Sequence, residues 1–164
     1  MKSLGKYTIR GEIQPTGNTG TYGDNGDLSR IMLFDGDYGT AFKVTKFVVW
    51  PYDQTTTADC SAVLATDKFG LQDYTVATQA ADDVRQIGWA SANQITSGVR
   101  EASFSVVDRD NLIVEDLWIA GYNASSETKK TNYLIELEKF DVGLNIGSYT
   151  QVRNSSQEIQ SQDR

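Results

Sequence analysis

Apolar and polar positions alternate with a period of two along most of this chain, and no segment sustains a 3.6-residue period over ten residues. Tyr7, Ile9 and Ile13 share one parity, with Gly11 between them and Thr8, Arg10 and Glu12 on the other, which predicts a half-buried strand. Thr131 to Phe140 repeats the pattern more cleanly, with Tyr133, Ile135 and Leu137 inward and Asn132, Glu136 and Glu138 outward or at an edge. Arg30–Phe34 is a short apolar strand stopped by Asp35-Gly36-Asp37-Tyr38-Gly39, and a return strand over Ala41–Trp50 is expected to close a hairpin with it. In that return strand the parity changes: Phe42 and Val44 share one side, Phe47 and Val49 the other. A bulge near Thr45-Lys46, or a strand buried on both faces, accounts for the switch. Pro51 ends the strand because it supplies no ladder donor.

Further strands are expected at Ala62–Ala65, around Tyr74–Val76 and at Val84–Ala90, followed by a polar loop from Asn93 to Glu101. Ala102–Val107 and Leu112–Ala120 flank Asp108-Arg109-Asp110-Asn111 and read as a second hairpin. Seven or eight short strands spaced by turns give an all-β fold: an antiparallel β-sandwich, or jelly-roll-like single domain, over residues 1–142. Pro15–Asp27, dense in glycine, is a flexible loop or arm, and residues 143–164 form a C-terminal extension. Val142–Val152 leaves room for one short helix, and Arg153–Arg164 is too polar to order itself without a neighbour.

The chain has 164 residues, enough for one domain that hides about 70% of its unfolded surface. It carries 22 acidic and 15 basic residues, a net charge of −7, and no histidine. Without histidine, Ser-His-Asp and Cys-His catalysis and imidazole-held metals have no basis here. The basic residues are scattered, so a nucleic-acid-binding stripe is not expected. No apolar run approaches the ~20 residues that span a bilayer, and Met1–Gly5 lacks the apolar core of a secretion signal, so no membrane contact and synthesis in the host cytoplasm are expected. The single Cys60 cannot staple the chain and is expected to be structurally incidental.

Several clusters resemble chemical sites and have plainer explanations. Asp24-Asn25-Gly26-Asp27 and Asp35-Gly36-Asp37 are oxygen-rich, but their spacing does not fit a twelve-residue calcium loop, and they read as turns, as do Asp108 and Asp110. Glu115, Asp116, Glu136 and Glu138 would form a glycosidase pair only if their strands were neighbours and one carboxyl were buried; solvated strand charges are the plainer reading. Of the tryptophans, Trp118 is expected in the core, while Trp50 and Trp89 sit near strand ends where interface roles arise. No cofactor, metal ligand or catalytic residue is assigned.

The blocks Tyr7–Glu12, Arg30–Gly36, Phe42–Pro51, Asp83–Ser91, Val107–Val114 and Asn132–Leu137 resemble small virion-associated proteins of marine bacteriophages. The resemblance implies a non-enzymatic, β-rich structural subunit present in many copies on a particle. On that footing the chain is expected to be a capsid decoration or cement protein on the virion exterior. Its partners would be the major capsid protein or copies of itself, in a homo-oligomer or symmetric assembly. Gly20, Tyr22, Trp50, Trp89, Tyr149, Arg153, Gln157 and Arg164 are the expected contact residues, with Gly17–Asp27 and Arg153–Arg164 as bridging elements. The alternative is a carbohydrate- or receptor-binding module on a phage tail or fibre that stacks sugars on exposed tryptophans.

Overall fold

A computed structural model describes residues 1–14, 28–74, 76–95, 99–123 and 129–143. Its elements are β1 (Lys2–Ile13), β2 (Leu28–Met32), β3 (Thr40–Pro51), β4 (Ala58–Ala65), a helical turn α1 (Phe69–Gln72), β5 (Gln86–Ile95), β6 (Val99–Val107), β7 (Asp116–Asn123) and β8 (Thr131–Asp141). The strands form two antiparallel sheets packed face to face, ordered β1-β8-β3 and β2-β7-β4-β5-β6. The all-β sandwich expected from the alternation is therefore the fold. The bridging stretch 15–27, the helix expected at Val142–Val152 beyond its first two residues, and the tail 153–164 lie outside the described residues.

The order follows a jelly-roll winding, in which a folded-over chain pairs its first strand with its eighth, second with seventh, third with sixth and fourth with fifth. Three of those pairs are present, and the third–sixth pair is not: β6 joins β5 at the end of the larger sheet. β6 touches β3 through the Ser105 hydroxyl, which donates to the Phe47 carbonyl. The β3 edge is instead met at Phe42 by Ile113, whose N–H and carbonyl both bond to the Phe42 main chain at 2.9 and 2.8 Å.

Both hairpins expected from the turns are corrected. β2 and β3 flank the Asp35–Gly39 turn yet belong to different sheets, and β6 pairs with β5 rather than with β7. Turn residues fix a change of direction, not whether the returning strand stays in the same sheet. The polar loop expected from Asn93 to Glu101 is cut back at both ends, since β5 runs to Ile95 and β6 begins at Val99, and Tyr74 and Val76 lie in the connection between α1 and β5 rather than in a strand.

The core lies between the sheets. Ile13, Val44, Phe47, Val49, Leu64, Ile87, Leu117, Ile119, Ile135 and Leu137 are all buried in it. The larger sheet offers small residues opposite β3, and a Cβ on Gly88 would lie 3.3 Å from the Phe47 ring. At its centre that sheet is buried on both faces, so Ala62–Ala65 has no exposed residue. The second face holds Val63, Ala65, Leu71 and Ala120, with Trp89, Trp118 and Tyr122 packed around them. Trp118 therefore belongs to this outer cluster and not to the central core, because it shares a parity with Ala120 on β7. Cys60 is buried, and its thiol faces the Ala92 carbonyl at 3.2 Å.

Candidate interaction surfaces

Pairing registers place four cross-strand rows on the outer face of the three-stranded sheet. They are Lys6–Glu138–Lys43, Thr8–Glu136–Lys46, Arg10–Leu134–Val48 and Glu12–Asn132–Trp50. Lys43 and Lys46 share this face because the ladder steps from Val44–Leu137 to Lys46–Glu136 and leaves Thr45 as the extra residue, the bulge that the parity switch predicts. Beside it opens a groove of about 710 Å³ lined by Lys6, Thr8, Thr45, Lys46, Glu136 and Arg109, the last reaching in from the β6–β7 connection. Lys46 pairs with Glu136 at 3.5 Å, both half exposed. Opposite charges facing each other across strands stabilise the sheet modestly and keep the face solvated.

This face is basic in an acidic protein. Its four rows and groove hold Lys6, Arg10, Lys43, Lys46 and Arg109 against Glu12, Glu136 and Glu138, a surplus of two. With the whole chain at −7, the remainder carries −9. At the far end of the sheet Lys130 bonds Glu12 at 2.9 Å and lies 5.2 Å from the Tyr52 ring centroid; Glu12 raises the ammonium pKa.

The acidic clusters serve the backbone. Asp35 accepts the Asp37 N–H at 3.1 Å and the Thr40 hydroxyl at 3.3 Å, and binds the Lys139 ammonium. The Lys139 contact, first among these, holds the Asp35 carboxyl below its usual range. Asp37 accepts the Gly39 N–H at 2.7 Å, and the turn needs Gly36, whose φ is +94°. Asp108 accepts the Asp110 N–H at 3.2 Å and the Asn111 amide at 2.9 Å. Among the described residues no group of three or more His, Cys, Asp or Glu is placed to hold a metal. Asp24 and Asp27 lie outside the described residues.

The glycosidase pair is not assembled across neighbouring strands. Asp116 opens β7 in the larger sheet and is bridged to Arg30 at 2.6 Å, with Glu115 just before the strand. Glu136 and Glu138 lie on β8 in the other sheet.

Of the expected contact residues, Gly20, Tyr22, Tyr149, Arg153, Gln157 and Arg164 lie outside the described residues. Trp50 is half-buried on the outer face of the smaller sheet, and Trp89 is half-buried on the outer face of the larger one. They stand on opposite sides of the sandwich and cannot share a sugar-stacking platform. The Trp89 indole donates to Gln86 at 2.9 Å beneath the segment 66–85. That cover is held by a network that sequence reasoning did not find. Arg85 grips Asp83 with two bonds of 2.9 and 2.8 Å and reaches Asp73 at 2.7 Å, while the Tyr74 hydroxyl donates to Asp83 at 2.8 Å.

Among the described residues the larger sheet has no further cover at its β6 end. Ala102 to Val106 are all exposed, including Ser103 and Ser105, whose parity points to the inner face. Phe104 is 51% exposed and Val106 46%, on the outer face opposite Ser91 and Trp89. Aromatic residues in alternation with small ones on an end strand were readable as a strand; its position at the sheet margin was not. Compared with protein-family models, curated proteins and solved structures, the chain gives no significant match.

Proposed function

We propose that the chain is a non-enzymatic structural subunit of a bacteriophage virion, a decoration or cement protein that sits on the capsid exterior and holds neighbouring shell subunits together. The observation that carries this reading is the segregation of charge: a basic sheet face with a cationic groove on a chain of net charge −7. Such a molecule approaches an acidic surface with that face first, and its acidic remainder stays toward solvent. The resemblance of residues 7–140 to phage virion proteins supplies the setting.

The size of the face fixes the mode of attachment. Three strands of up to 12 residues span about 40 Å by about 14 Å, or about 560 Å². A stable single contact needs about 800 Å² per partner. One seat is therefore weak, and retention comes from several contacts made by each subunit, added through effective concentration.

The test uses purified chain added to undecorated particles of the phage concerned, with occupancy measured by sedimentation. Occupancy falls as salt rises, and the pair Lys6→Glu with Arg109→Glu lowers it at least ~10-fold while leaving the Lys46–Glu136 pair intact. Unchanged occupancy in the variant, or no occupancy by the native chain, rejects the reading.

A further inference from the structure

We propose that β6 is a self-association edge: two copies of this chain pair β6 to β6, antiparallel about a two-fold axis, and join their five-stranded sheets into one of ten strands. Every strand edge displays unpaired main-chain N–H and carbonyl groups, and proteins that stay apart blunt those edges with charge, proline, short length or a cover. Three of the four edges here are blunted. β1 carries Lys2, Lys6 and Arg10. β2 has five residues. β3 ends on Pro51 and is met at Phe42 by Ile113.

β6 has none of these devices over Ala102–Val107, which contains neither a charged residue nor a proline. No backbone hydrogen bond beyond those to β5 is made by 102–106 among the described residues. The strand lies at the rim of the sandwich, with Ala102 to Val106 all exposed and the Ser105 hydroxyl reaching across to the Phe47 carbonyl. In a complete jelly-roll winding this strand would close against β3, and its displacement to the larger sheet leaves the edge without a strand partner among the described residues.

Charge selects the occupant. Two copies of net charge −7 repel, so they meet at least cost where neither presents a carboxylate. Ala102–Val107 is such a stretch, and it is self-complementary: antiparallel pairing within it keeps Phe104 and Val106 of both copies on one face, where aromatic and β-branched residues pair well. A two-fold contact is closed, so the product is a dimer and not a fibre. This contact is a property of the isolated chain and stands apart from whether a shell is its partner.

Sedimentation equilibrium of the purified full chain tests it. The native protein has twice the mass of one chain, and raising the salt strengthens the association by screening the mutual repulsion, the opposite sign from attachment to a shell through the basic face. Phe104→Lys weakens it at least ~10-fold, whereas Met32→Lys, a change at a still more exposed apolar residue on the β2 edge, leaves it unchanged. Should Phe104→Lys lose its β-sheet circular dichroism, Val106→Lys gives the same answer. Amides of 102–107 gain hydrogen-exchange protection with protein concentration. A native chain that stays monomeric at millimolar concentration, a dimer indifferent to both β6 variants, or one broken by Met32→Lys overturns the proposal.

Discussion

Thr45 has no Cα partner on β8, and its hydroxyl donates to the main-chain carbonyl of Glu136 at 3.1 Å. On either side of it the ladder is regular, with Val44 opposite Leu137 and Lys46 opposite Glu136. The bulge thus adds one residue without moving the pairing of either half. It also reverses the inward parity, so Val44 and Phe47 are both buried while Lys43 and Lys46 both face out.

Removing Thr45 therefore restores an unbroken alternation, out at Lys43, in at Val44, out at Lys46 and in at Phe47. The expected cost is about 1–2 kcal/mol for the lost hydroxyl bond and local twist. Removing Val48 instead turns Val49 outward and Trp50 inward, a slip that costs the strand its core face. Urea unfolding of the two deletions separates them: the Thr45 deletion folds with a reduced midpoint, and the Val48 deletion does not fold. Equal loss in both would show that the bulge is required for folding.

Sequence carried the bulge and the β8 alternation because each is a local parity, fixed by which residues must be buried. It carried the turns too, since Asp35, Asp37 and Asp108 bond their own backbone. It could not carry the sheet assignment of the strands beyond those turns, which is set by long-range pairing with β7 and β5. Nor could it reveal Trp118 and Trp89 on a second buried face, because a strand covered on both sides has no empty parity to mark it. The basic groove needed Lys6, Lys46 and Arg109 brought together from three segments far apart in the chain.

Gln86 is a buried amide with every bond made. Its oxygen accepts the Ala80 N–H at 2.8 Å and the Trp89 indole at 2.9 Å, and its nitrogen donates to the Gly70 and Thr78 carbonyls at 2.9 and 3.1 Å. Gln86→Glu replaces the donor with an acceptor, so both carbonyls lose their partner and a carboxyl is buried. A loss of about 3 kcal/mol is expected. Trp89 emission shifts to the red as segment 66–85 lifts, and an unshifted spectrum with native stability would contradict the role given to this side chain.

Gly11 faces Tyr133 across the β1–β8 pair, and a Cβ there would stand 2.7 Å from the tyrosine oxygen and 2.9 Å from the ring. The ring fills the space that a side chain would take, and its burial raises the Tyr133 pKa. Gly11→Ala displaces the ring toward water at an expected cost of about 1–2 kcal/mol. The Tyr133 phenol then titrates earlier, seen at 295 nm, while Tyr133→Leu in the same background recovers part of the stability. An alanine variant as stable as the native chain would mean that the ring has another place to go.

Tyr74 ties the cover to acid and alkali. Burial, then its bond to Asp83 and the charge there, push the phenol up to about 12 from its ordinary 10.0. The folded state keeps this proton while the unfolded state releases it, so the contribution is complete below pH 10 and is lost as pH rises through about 12. Asp83 runs the other way. Burial pushes its carboxyl up, but bonds from Arg85 and Tyr74 outweigh it and hold the pKa below 3.8, so its contribution is present above that pH and is lost in more acid solution. Asp83→Asn removes the acid limb and also brings Tyr74 down toward its ordinary value, because the charge and strong acceptor that kept the phenol protonated are gone. Tyr74→Phe removes this contribution to the alkaline limb alone. Unfolding measured from pH 3 to 12 on the three proteins, with phenolate absorbance read beside it, checks both signs. If Tyr74 of the native chain titrates together with the exposed tyrosines, the network does not hold the cover closed.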